Sequence, residues 1–135
     1  MDPEKILLAL LTGASGVTSI VGAQIHNLRR PEGETGAALV FRVGADVPDA
    51  HIDLTEGADL WHATISVTAF AATPEAAATL LEAVIAACHK QSGTIAGYTV
   101  SALLVDAGSG RGGPESDPTT GQIMQPVDFT LDYYR

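Results

Sequence analysis

The chain has 135 residues, 46% of them hydrophobic and 17% charged, the composition of one ordinary domain with its own core. At this length folding removes about two thirds of the unfolded surface from water, so neither disulfide nor structural metal is called for, and the lone Cys88 has no partner to bridge. Sixteen acidic against seven basic side chains give a net charge of -9, which opposes tight binding of nucleic acid. The longest apolar run, residues 6–11, is far short of the roughly 20 that span a bilayer and follows no charged leader, so the expectation is a soluble protein of a reducing cytoplasm.

Asp2 is placed to cap a first helix, Pro3 suits its first position and Glu4 complements its dipole. Ile6, Leu7, Leu10 and Leu11 form its apolar stripe, and Gly13 ends it. Residues 15–21 are read as one further short turn, with Val17, Ile20 and Val21 against the core, before Gly22 releases the chain toward Ile25. Residues 26–37, HNLRRPEGETGA, set Pro31, Gly33 and Gly36 among charged side chains, the chemistry of a solvated loop. A strand follows, in which Leu39, Phe41 and Val43 alternate with Val40 and Arg42. From residue 44 to 59 the chain carries Asp46, Asp49, Asp53, Glu56 and Asp59 and no Lys or Arg, which predicts an exposed acidic arm.

The clearest strand covers residues 60–70, with Trp61, Ala63, Ile65, Val67 and Ala69 on one face and His62, Thr64, Ser66 and Thr68 on the other. Thr73, Pro74 and Glu75 open a second helix whose stripe is Leu80, Leu81, Val84, Ile85 and Cys88, and His89, Lys90 and Gly93 close it. Residues 98–106 and 122–134 are the last strands, the second setting Val127, Phe129, Leu131 and Tyr133 against Asp128, Thr130, Asp132 and Tyr134. The Gly, Ser and Pro-rich connection over 107–121 is of a length that is either functional or ordered only by a partner. The order helix, two strands, helix, two strands predicts an α+β fold: a four-stranded antiparallel sheet, two main helices packed on one face, and long polar loops.

Motifs for chemistry are poor. Gly108, Gly110 and Gly113 have the spacing of a dinucleotide loop, but Pro114 and ESDPTTG follow where a phosphate-binding helix is required. Cys88 and His89 are sequence neighbours on a helix and point about 100° apart, so they do not form a thiolate and base pair. His51, Asp53 and His62 are the nearest approach to a metal set, but their spacing is not diagnostic: a solvated arm beside a polar strand face is the preferred reading, and a weak oxygen-ligand site for magnesium or calcium on the arm is the better of the remaining options. Arg29 and Arg30 are the only adjacent basic pair; ordinary solvation is the preferred reading, and docking on the acidic arm of a neighbouring copy is the alternative.

A short leading helix followed by VTSIVGAQI, the basic Pro-containing loop, ALVFRV, LWHATISVTAFAATPEAAATLLEAVIAAC and the final PVDFTLDYYR recur in an order that resembles the small tail-completion or tail-terminator proteins of long-tailed bacteriophages and phage-derived gene transfer agents. The resemblance covers nearly the whole chain as a single domain and rests on element order and the strand-to-helix junction FAATPEAA. It departs in the 107–121 stretch, which is longer and more Gly-rich, and at His26, where an aromatic is frequent. The resemblance implies a non-enzymatic virion subunit without cofactor, assembled in the bacterial host cytoplasm. It would form a ring, typically a hexamer, that caps the head-proximal end of the tail tube. The partners it implies would be other copies of the chain, the tail-tube protein and the head-tail connector protein, with DNA passing through without tight binding.

Closed rings use contacts between unlike patches, which extended polar segments supply. The candidate contact residues are therefore Arg29 and Arg30, the arm carboxylates Asp46, Asp49, Asp53 and Glu56, and Arg111, Glu115 and Asp117 of the Gly-rich stretch. A tail-tube or head-tail connector adaptor subunit is the nearest rival reading, and a small metal- or ligand-binding domain built on His51, Asp53 and His62 is the rival from another class.

Overall fold

In the computed structural model, which describes residues 2–31, 36–48, 60–106, 108, 110–118 and 121–134, the amino-terminal stripe folds as two helices. These are α1 (Asp2–Gly13) and α2 (Ser15–Val21), joined at a bend of 84°. The bend sits at Ala14, whose extended backbone presents its carbonyl to the N–H groups of Val17 and Thr18, so α2 starts without a side-chain cap. Asp2, expected as a cap, lies inside α1, and its carboxylate accepts the Tyr98 hydroxyl at 2.7 Å. Among the described residues no single helix is long and apolar enough to cross a membrane.

The rest of the chain adds β1 (Ile25–Asn27), β2 (Ala38–Pro48), β3 (Leu60–Ala71), α3 (Pro74–Cys88), β4 (Gln91–Ile95), β5 (Tyr98–Val105), β6 (Glu115–Ser116) and β7 (Ile123–Tyr134). Their order across the sheet is β1-β2-β3-β7-β5-β4, with β6 also on β7. The expected four-stranded antiparallel sheet is thus its centre: β2 with β3, β3 with β7 and β7 with β5 pair antiparallel. The expectation fails at the edges. β1 pairs parallel to β2, inside the stretch read as loop, because the chain released at Gly22 returns along β2 and Gln24 accepts the Leu39 N–H. β4 forms inside the stretch read as the close of the second helix: Lys90 at φ 65 turns the chain, and Ala96 and Gly97, at φ 53 and 85, make a tight hairpin into β5.

The helices cover one face of this sheet. Thr73 caps α3 through the Ala76 N–H at 3.2 Å, Pro74 stands in its first turn, and the His89 Nδ1 accepts the Val105 N–H at 3.0 Å, tying the end of the helix to β5. Leu80, Leu81 and Val84 of α3, which lies on β3 and β7, and Ile6, Leu7 and Leu11 of α1, which packs beside α3 and on β2, belong to one continuous core. Cys88 lies in that core, where burial pushes its thiol up to about 12.

Candidate interface on the helix-free face of the sheet

Among the described residues the opposite face carries no helix, and its character follows from strand alternation. Leu39, Phe41 and Val43 of β2 point inward, so Val40 and Arg42 point outward, beside Ser66 and Thr68 of β3. A bulge at Gly44 then reverses the alternation of β2. A side chain at Gly44 would meet the Thr64 hydroxyl at 3.0 Å, which is why the bulge sits at a glycine. Past the bulge Asp46 takes the inward side and accepts the hydroxyl of fully buried Tyr133 at 2.8 and 3.0 Å. Residues 44–48 are therefore strand rather than arm, and the Asp46 carboxylate is engaged within the subunit.

The 107–121 stretch, expected to be a structureless connection, prolongs the β5 side of β7 over its described residues. The Asp106 N–H donates to Asp128, Asp128 to Gly110 and Gly112 to Pro126; Arg111 bridges Val127, and β6 pairs with Ile123 and Met124. Pro126 has no N–H to return to the Gly112 carbonyl, and the Gln125 side-chain amide supplies that hydrogen bond instead, at 2.9 Å. This accounts for Gln125 being the one buried polar residue among those described, 6% exposed. A Cβ at Gly112 would come within 2.7 Å of the Pro126 ring, so the close pairing needs glycine there.

Two adjoining hollows run along the helix-free face and share Arg42 and Ser66. One lies between Arg42, Gly44, Thr64, Asp106 and Asp128. The other is lined by Leu28, Val40, Phe70 and Met124, with no carboxylate among its lining residues. Leu28 is 65% exposed and held at φ 72, an unusual setting for a large apolar side chain on both counts. The Arg30 guanidinium lies 5.3 Å from the centre of the Phe70 ring.

Of the residues singled out from sequence, Arg29 is exposed, whereas Arg30 donates to the side chain of Gln122, the residue before β7, and to the Gly36 carbonyl. Arg111 reaches Glu82 of α3 at 3.5 Å, Glu115 is exposed in β6, and the Asp117 N–H and carbonyl close the turn into β7. Asp49, Asp53 and Glu56 lie outside the described residues, as do His51, Glu32 and Glu34. His62 pairs instead with Asp132 across β3 and β7, and among the described residues no three His, Cys, Asp or Glu side chains gather to hold a metal. Sequence reasoning missed Leu28, Phe70 and Met124. For Phe70 the signal was present: it takes the outward place after His62, Thr64, Ser66 and Thr68.

A three-helix layer on one face of a mixed sheet is the fold of a chain in the virion of a native gene transfer agent particle, which superposes with a TM-score of 0.67 over 96% of this chain and 92% of that chain at 15% identity. No curated protein sequence matches the chain. Residues 5–125 match the family of tail completion protein gp17, and the chain belongs to that family. It is a structural protein of a bacteriophage-type virion tail.

Proposed function

We propose that the protein assembles as a closed ring of six copies on the head-proximal end of a tail tube, stops tube growth there and offers the head connector a surface to join. Membership of the tail completion family over residues 5–125 is the observation that carries this reading. The role is non-enzymatic: the subunit supplies shape and contacts. Its charge is in keeping, since six copies at -9 each amount to about -54, a field that repels phosphate and lets DNA pass without being held. In this reading Arg29, the arm acids Asp49, Asp53 and Glu56, and the exposed side chains of Arg111 and Glu115 lie at contacts between subunits or with the neighbouring rings.

The test is light-scattering mass over a range of concentrations, with and without millimolar magnesium, followed by negative-stain imaging of the protein mixed with tail tubes. Closed rings of about six copies, in solution or on one end of the tubes, are expected. Open-ended filaments of the purified protein would make it a tube subunit, and binding to the connector with bare tube ends would make it an adaptor.

A further inference from the structure

We infer that the Leu28 end of the helix-free face is a receiving groove for the acidic 49–59 segment of a neighbouring copy of this chain, an inference that rests on the ring reading and names its contact. Two features of the groove select the occupant. Its lining carries four apolar side chains, Val40, Phe70, Met124 and exposed Leu28, alongside the hydroxyls of Ser66 and Thr68. Its charge is positive: Arg42 lines it, Arg30 lies over Phe70, Arg29 adjoins Leu28, and these are three of only seven basic side chains in the chain. The matching ligand is an acidic peptide with a few aliphatic side chains. Residues 49–59, DAHIDLTEGAD, have that composition, with Ile52 and Leu54 among Asp49, Asp53, Glu56 and Asp59 and no Lys or Arg.

Chain geometry decides which copy supplies it. The segment is tethered at Pro48 and Leu60, the ends of β2 and β3. Its middle residue is six residues from either anchor and reaches at most about 20 Å. Val40 lies eight strand residues from Pro48, about 26 Å away, and Phe70, paired with Ala38, is farther still. A subunit's own segment therefore ends at the Arg42 edge of its groove, short of Val40 and Phe70. Segment to groove is a contact between unlike patches, the kind that closes a ring, and its attraction is of a kind that salt weakens.

The experiment places one cysteine in each partner, Leu28→Cys with Asp53→Cys, in the full chain; buried Cys88 does not compete. After oxidation with copper phenanthroline, a non-reducing gel is expected to show dimers and higher multimers that require both cysteines and decline at least fivefold with added Arg42→Glu. In the native background Met124→Glu is expected to raise the concentration for half assembly at least tenfold with an unchanged urea midpoint. A disulfide confined to single chains would overturn the inference, as would its absence from protein that scatters as an oligomer or still caps tube ends; in those last two cases the ring reading stands. Absence of disulfide, oligomer and capping together would sink both.

Discussion

The two faces of β7 are made by alternate residues of one strand and obey different rules. Val127, Phe129, Leu131 and Tyr133 are fully buried beneath the helices, whereas Met124, Asp128, Thr130 and Asp132 keep partial contact with solvent on the helix-free side. The inward set is held by packing in the core and serves stability, whereas the outward set is only partly buried and owes less to it. The sharpest way to break this contrast is to truncate one residue from each set. Phe129→Ala is expected to cost about 3–5 kcal/mol from lost burial and the cavity left behind, while Thr130→Ala, one residue on, stays within about 0.5 kcal/mol. Urea denaturation of the two variants checks it, and similar losses from both would mean that the outward face is also packed within the subunit.

The contrast at the other margin of β7 concerns backbone. On the β5 side the strand is flanked by β5, with one register shift between Val100 and Ala102, as far as Val105 and thereafter by the irregular run through Gly110 and Gly112. Gly112→Ala drives a methyl into the Pro126 ring, which is fixed in its strand, so a loss of about 1–3 kcal/mol is expected. Gly113→Ala, where an added Cβ meets nothing within 4 Å, is expected to be nearly neutral in the same assay. Equal effects would show that the run does not pair with β7 in solution.

Legibility in the sequence follows the same division. The central strands and α3 were readable because period-two alternation and the Thr73–Pro74 start are local signals backed by burial. β1, β4 and β6 were not, because three-, five- and two-residue edge strands carry too little pattern to register and exist through the neighbour they pair with. The bulge at Gly44 hid Asp46 in the same way: a change of facing is a property of pairing with Thr64, not of composition. At the candidate interface the charges of Arg29, Arg30 and Arg42 were legible and their roles were not. Arg30 joins the loop to Gln122 just before β7, and the apolar side chains of the groove come from segments distant in sequence.

Cys88 extends the comparison to pH. Its thiol is pushed by burial from 9.0 to about 12, so between these values the folded protein holds a proton that the unfolded chain releases. Stability from this group is complete below pH 9 and falls by about 1.4 kcal/mol for each pH unit above it until the folded thiol ionises. Cys88→Ala is expected to remove that part of the alkaline slope, read as the difference in urea midpoint between the two proteins at pH 8 and pH 10. In the native protein a disulfide reagent at pH 8 should label the thiol only as fast as the core opens; immediate labelling would place Cys88 outside the core.

The smallest expected change in stability belongs to the residue with the largest expected role outside the subunit. Arg42 is exposed on the helix-free face between the two hollows, with Ser66 opposite it on β3. A side chain in that position owes little to folding, because its charge is solvated in both states, and Arg42→Ala is expected to move the urea midpoint by no more than about 0.5 kcal/mol. Assembly should respond differently, since an acidic partner loses an attraction it does not recover from water, and the deficit should shrink as salt rises because the native contact is itself screened. Light scattering of Arg42→Ala against the native chain at low and high ionic strength separates the two effects. A variant that is less stable yet assembles normally would return Arg42 to the architecture of the sheet and end the distinction between its faces.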